Sequence, residues 1–153
     1  METDFQQLAA EFGASRSLLR VPQTDPRPRM GVMVSHIDHC LTELLHRWEG
    51  GELNVDLACV ISNHQRERNT YVMRFLERHG VPLYYVPAGG PSPAGQLRGH
   101  ESAVLSLVHR TNFLVLARYM QVLSGRFLSE YGRDVINIHH GLLPSFKGVR
   151  ARV

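Results

Sequence analysis

The sequence predicts an α/β fold, a mostly parallel sheet with helices on both faces. Three observations lead there. From Met30 onward, short apolar runs rich in Val, Ile and Leu recur. Segments with apolar residues at helical spacing separate them, and the two kinds of segment alternate. Apolar runs without polar alternation suit strands covered on both faces. Strand and helix in alternation predict parallel strands joined by right-handed crossovers.

Taken in order, the opening DFQQLAAEFG places Phe5, Leu8, Ala9 and Phe12 at helical spacing before a stop at Gly13, a short helix. The apolar run in SRSLLRV reads as a strand, and residues 1–21 are too few to bury their own apolar face. Residues 22–29, PQTDPRPR, hold three prolines and three charges, which is linker composition. Residues 30–153 then read as MGVMVS strand, DHCLTELLHRW helix, VDLACVIS strand, NTYVMRFLERHG helix and PLYYVP strand. After the turn-rich insert AGGPSPAGQLRG come the helix HESAVLSLVHR, the strand FLVLA, the short helix GRFLSEYG and the strand DVINIHH. Parallel sheets bind ligands beyond the carboxyl ends of their strands. That is where NIHH falls.

Composition narrows the function classes. With 153 residues and 43% hydrophobic content, the chain can build one domain with a core. Its 17 basic and 14 acidic residues give only +3 and form no cluster, which argues against nucleic acid as a partner. No run approaches the ~18 uncharged apolar residues of a membrane span, and the acidic start METDFQQLAAEF is unlike a secretory signal. Cys40 and Cys59 lack a CxxC arrangement, so they read as buried free thiols in a reducing, cytoplasmic setting.

Candidate chemistry gathers at the last strand. Asn137 and His139 are two apart, so on a strand they share a face. The amide can donate to an oxygen that gathers negative charge, and the imidazole can shuttle a proton near neutral pH, a combination suited to attack on a carbonyl. Neither Ser nor Cys flanks His139, which favours direct attack by water or a bound amine over a covalent intermediate. The bland alternative is that both residues cap backbone groups at a strand end.

Elsewhere the signals are weaker. His36 and His39 are three apart but have only Asp38 nearby as a further ligand, so no metal is expected. The turn VSHIDHC lacks the glycines of a phosphate cradle, which disfavours a bound nucleotide cofactor. In LARYMQVLSGRFL, Met120, Val122 and Leu123 fit either a core stripe or a flat apolar slot for an aromatic ligand, edged by backbone hydrogen-bonding groups.

Three stretches in sequence, HCLTELLHRWEGGELNVDLACVISNH, LARYMQVL and VINIHHGLLPSFKG, resemble the folate-dependent formyltransferase family, and within it the formyltetrahydrofolate deformylases. The resemblance runs from about Met30 to Gly148. It implies a formyltransferase, Rossmann-like sheet that is incomplete at the C-terminus, and hydrolysis of 10-formyltetrahydrofolate to tetrahydrofolate and formate for purine and one-carbon metabolism. It assigns Asn137 to polarising the formyl oxygen and His139 to proton transfer, with Met120, Gln121 and Leu123 in the loop around the pterin. The folate is the substrate; no further cofactor and no metal are implied. Residues 1–21 resemble the end of an ACT regulatory domain, residues 22–29 the linker, and residues 30–153 the N-terminal part of the catalytic domain. The family's third site residue, an aspartate, is expected downstream of Val153, so this chain is expected to be truncated at both ends, with impaired turnover. The alternatives are formyl transfer of the glycinamide ribonucleotide formyltransferase type, and a non-catalytic fragment that forms a homo-oligomer through an exposed sheet edge.

Overall fold

The computed structural model describes residues 2–14, 26–90 and 96–137. Helix α1 (Glu2–Glu11) is followed by strand β1 (Arg29–Val34), α2 (His39–Glu49), β2 (Asp56–Ser62), α3 (Tyr71–Arg78), β3 (Leu83–Tyr85), α4 (Gly99–Val108), β4 (Phe113–Ala117), α5 (Gly125–Tyr131) and β5 (Asp134–Asn137). The alternation expected from the sequence is thus realised. All neighbouring strands pair in parallel in the order β3-β2-β1-β4-β5. No described helix is long and apolar enough to cross a membrane. The strand expected within residues 15–21 lies outside the described residues.

Each strand sends alternate side chains to opposite faces, and each face has its own core. Met30, Val32 and Val34 of β1 pack with Leu41 and Leu45 of α2 and with Val72, Phe75 and Leu76 of α3. On the other face Met33, Cys59, Ile61 and Leu114 meet Val104 and Val108 of α4 and Phe127 and Tyr131 of α5. Burying a Leu or Phe side chain contributes about 1.5–3 kcal/mol, so these two layers dominate the fold's stability. The helix ends are set locally. The Thr70 hydroxyl accepts the Met73 N–H at 3.3 Å to start α3, and Gly80 at φ +65° turns the chain out of it.

One irregularity decides which core a residue joins. Met30 pairs with Leu57 but Gly31 pairs with Cys59, so Ala58 is an extra residue in β2. This bulge lets Leu57 and Cys59, two apart, face opposite cores. Cys59 is therefore enclosed beside β4, and burial pushes its thiol up to about 11. Cys40 is half-buried rather than buried, and both thiols are free.

At Gly31 the central strand leaves no room for a side chain. A Cβ there would stand 2.7 Å from Leu114 Cδ2 and 3.1 Å from Thr111 Cγ2. Gly31→Val is expected to destabilise the fold by about 1–3 kcal/mol through overpacking, read from urea denaturation. A variant as stable as the parent would mean that β4 can move away without cost.

The topology also fixes where a site can form. The chain steps outward from β1 to β2 and β3, then crosses back to β4 and β5, so the strand order reverses between β1 and β4. A crevice opens at the carboxyl ends of strands flanking such a reversal.

Candidate active site at the carboxyl edge

The loop leaving β4 forms one wall of that crevice. Arg118 adopts φ +57°, a conformation unusual for a residue with a side chain and common where a loop is held for function. The Met120 N–H then donates to Ser35 Oγ at 2.9 Å, joining this loop to the exit of β1 across the reversal. Met120 is 56% exposed and Val122 76% exposed, so the core-stripe alternative fails for both. Leu123 is half-buried against the core that contains Phe127, and Gln121 is half-buried. The backbone N–H groups of Gln121 and Leu123 carry no hydrogen bond to any described residue. Among the described residues the loop thus offers apolar side chains and unbonded backbone donors at one edge.

Asn137 ends the described part of β5, beside Leu116 of β4 in register, and is exposed. Asn137 and the 120–123 loop therefore sit at the carboxyl ends of adjacent strands. His139 lies outside the described residues.

The turn after β1 is occupied by side chains where a phosphate cradle would need open backbone. Arg66 donates to the Asp38 carboxylate, to the Ser35 carbonyl and, at 3.3 Å, to Ser62 Oγ. Only 7% of the Arg66 side chain is exposed, and burial draws its guanidinium below the ordinary value. Asp38 is the N-cap of α2 but makes no side-chain cap bond, because its carboxylate is held by Arg66. Among the described residues no three His, Cys, Asp or Glu side chains are grouped to hold a metal ion.

Behind the 118–124 loop stands Glu101, fully buried on α4. Its carboxylate accepts the Arg98 N–H at 2.8 Å, the Ser124 N–H at 2.7 Å and the Ser124 hydroxyl at 2.8 Å. Burial opposes its charge, but these hydrogen bonds outweigh burial and hold it below the ordinary carboxylate range. Sequence reading missed both Glu101 and Arg66. The usual signal for a helix-start glutamate is a Ser or Thr three residues before it, and here that residue is Arg98.

The adjacent His100 accepts the Gly89 N–H at Nδ1, 2.9 Å away, and its Nε2 is buried without a partner among the described residues. Burial holds its pKa below the ordinary imidazole value. The unfolded chain therefore takes up a proton first on acidification, so stability is present above the ordinary imidazole pKa and falls as pH drops below it. Melting temperature is expected to decline between pH 7.5 and 5.5 by more in the parent than in His100→Asn, and equal declines would exclude His100 as the source.

A groove of about 710 Å³ lies elsewhere, among Arg29, Asp56, Gly80, Pro82 and His109 at the amino ends of the strands. Parallel sheets seat ligands at the opposite edge, so the groove is not the candidate site.

A family model described as formyl transferase matches residues 28–152. The chain belongs to the formyl transferase family. Formyltetrahydrofolate deformylase 1, mitochondrial, of Arabidopsis thaliana is 55% identical over 148 residues, covering 97% of this chain and 44% of that relative. The crystal structure of a formyltetrahydrofolate deformylase from Burkholderia mallei superposes with TM-score 0.68 at 33% identity, covering 97% of this chain and 49% of its own. A glycinamide ribonucleotide transformylase 1 from Symbiobacterium toebii superposes at 0.62 with 28% identity, covering 80% of this chain and 56% of its own. The chain spans about half the length of the curated deformylases it matches. The expected fold is confirmed, and the deformylases are the better match of the two groups.

Proposed function

We propose that this chain carries the folate-binding and formyl-polarising part of a site that hydrolyses 10-formyltetrahydrofolate to tetrahydrofolate and formate. The observation that carries the reading is the filled turn after β1. A glycinamide ribonucleotide acceptor needs its phosphate held, and backbone N–H groups at a glycine-rich turn are the usual means. Here Arg66 is spent on Asp38, Ser35 and Ser62, which favours water as the acceptor.

In this reading Met120 and Leu123 line a slot for the pterin, and the backbone N–H groups of Gln121 and Leu123 meet its polar edge. Asn137 donates to the formyl oxygen as water adds to the carbon. His139 takes the proton from that water and passes it to the leaving nitrogen, so that formate and tetrahydrofolate part. No metal or further cofactor takes part. The folate is the small-molecule partner, neither nucleic acid nor membrane is engaged, and the compartment is the reducing cytoplasm. Residues 1–21 are the end of an ACT domain, 22–29 a linker and 30–153 the N-terminal part of the catalytic domain.

The test is release of tetrahydrofolate from 10-formyltetrahydrofolate by this chain with and without glycinamide ribonucleotide. Release without the amine supports hydrolysis. Release only with the amine would replace hydrolysis with formyl transfer, and absence of both release and folate binding would overturn the reading.

A further inference from the structure

We infer that Glu101, working with Arg98 and Ser124, is the positioning residue that presets the 120–123 loop for its flat heteroaromatic ligand. The inference rests on the folate-slot reading above and adds to it the group that holds the slot's shape. No part of Glu101 reaches the crevice as a ligand; it acts through the loop behind which it is buried.

The loop is tied at three places, once to the exit of β1 and twice to the start of α4. At its start the Met120 N–H is held by Ser35 Oγ at 2.9 Å. In its middle the Val122 carbonyl accepts Arg98 Nη1 at 2.8 Å. At its end Ser124 gives both its N–H and its hydroxyl to Glu101, while Ser124 Oγ also accepts the Phe127 N–H at 3.1 Å and starts α5. Glu101 itself also accepts the Arg98 N–H. One carboxylate thus joins the N-cap residues of α4 and α5, Arg98 and Ser124, and through Arg98 it braces the loop between β4 and α5.

This bracing decides which backbone groups remain for a ligand. Met120 N–H, Val122 C=O and Ser124 N–H are consumed, and among the described residues nothing bonds the N–H groups of Gln121 and Leu123. A ligand that needs the Gln121 and Leu123 donors aligned binds a loop already in shape. If the loop holds that shape only a fraction of the time, apparent affinity falls by that fraction.

Glu101→Gln keeps the size of the side chain but in either orientation sets its NH₂ group against a backbone N–H, that of Ser124 or that of Arg98, so at least one bond becomes a clash of donors. Arg98→Met removes the bond to Val122 and a positive charge near Glu101 but keeps the Arg98 N–H that Glu101 accepts, so it covers the case in which Glu101→Gln does not fold. Val72→Ala, on the opposite core, serves as a variant that lowers stability away from the loop.

The experiment measures amide hydrogen exchange at residues 119–124 in the full chain, and calorimetric binding of 10-formylfolate well below the melting temperature. Glu101→Gln and Arg98→Met are each expected to speed exchange in this segment and to raise the 10-formylfolate Kd about tenfold, whereas Val72→Ala lowers the melting temperature and leaves Kd unchanged. Faster exchange with an unchanged Kd, or unchanged exchange in both loop variants, would overturn the inference. A parent chain that does not bind 10-formylfolate would instead overturn the folate reading, and the exchange result would still decide whether Glu101 holds the loop.

Discussion

Asn137→Ala is expected to lower tetrahydrofolate release by about 10²–10³-fold, the usual loss when one donor to a developing oxyanion is removed, and to leave the Kd for 10-formylfolate unchanged. The split follows from where the amide acts. Asn137 stands at the carboxyl end of β5, level with Leu116 of β4, and in the proposed reaction its NH₂ meets an oxygen whose charge appears only as water adds. An interaction realised in the transition state affects kcat, while uniform binding affects KM. The proposed slot belongs to β4 and its loop, so removing Asn137 would leave it in place. Asn137→Asp should lose at least as much, because a carboxylate would repel the growing negative charge. Single-turnover kinetics with calorimetry on the same preparations makes the comparison. Turnover retained in Asn137→Ala would remove the residue from the reaction, and a large rise in Kd with unchanged kcat would make it a binding group.

The parts of this molecule that could be read from sequence are those set by neighbours in the chain. Apolar runs such as VDLACVIS gave β2, and the Leu41–Leu45 spacing gave α2, because burial on a sheet imposes these short periods directly. The carboxyl edge as the place for a site followed from topology once the alternation was seen.

What escaped sequence reading depends on distant partners. Leu57 and Cys59 share a strand parity, and only the pairing with β1 reveals that Ala58 is an extra residue which parts them. Asp38 reads as a first-turn carboxylate, yet its partner is Arg66, 28 residues away. Glu101 and Ser124 are 23 residues apart, joined only because two crossover helices begin at the same edge. Met120 and Val122 are ambiguous because an apolar stripe fits a core and a slot equally well; their exposure, which decides against the core, is invisible in a one-dimensional pattern.

Arg66→Met should cost about 3 kcal/mol, the lower end of what breaking a buried ion pair costs when one partner remains. Arg66 exposes 7% of its side chain and Asp38 30%, so the stranded carboxylate keeps some contact with water, which places the effect at that lower end. Three acceptors lose the Arg66 donor together: the Asp38 carboxylate, the Ser35 carbonyl and Ser62 Oγ, which keeps the His64 N–H. Urea denaturation of four chains separates the contributions: parent, Arg66→Met, Asp38→Asn and the double variant. If the stranded charge dominates, the double variant regains most of the loss, as replacement of both ends of a buried pair often does. Because Ser35 also holds Met120, loss of the Arg66 bond to the Ser35 carbonyl should additionally weaken 10-formylfolate binding. A double variant that recovers stability but not affinity would locate the second role of Arg66 in fixing the exit of β1. One that recovers neither would show that the Ser35 carbonyl, rather than the Asp38 charge, is the partner that matters.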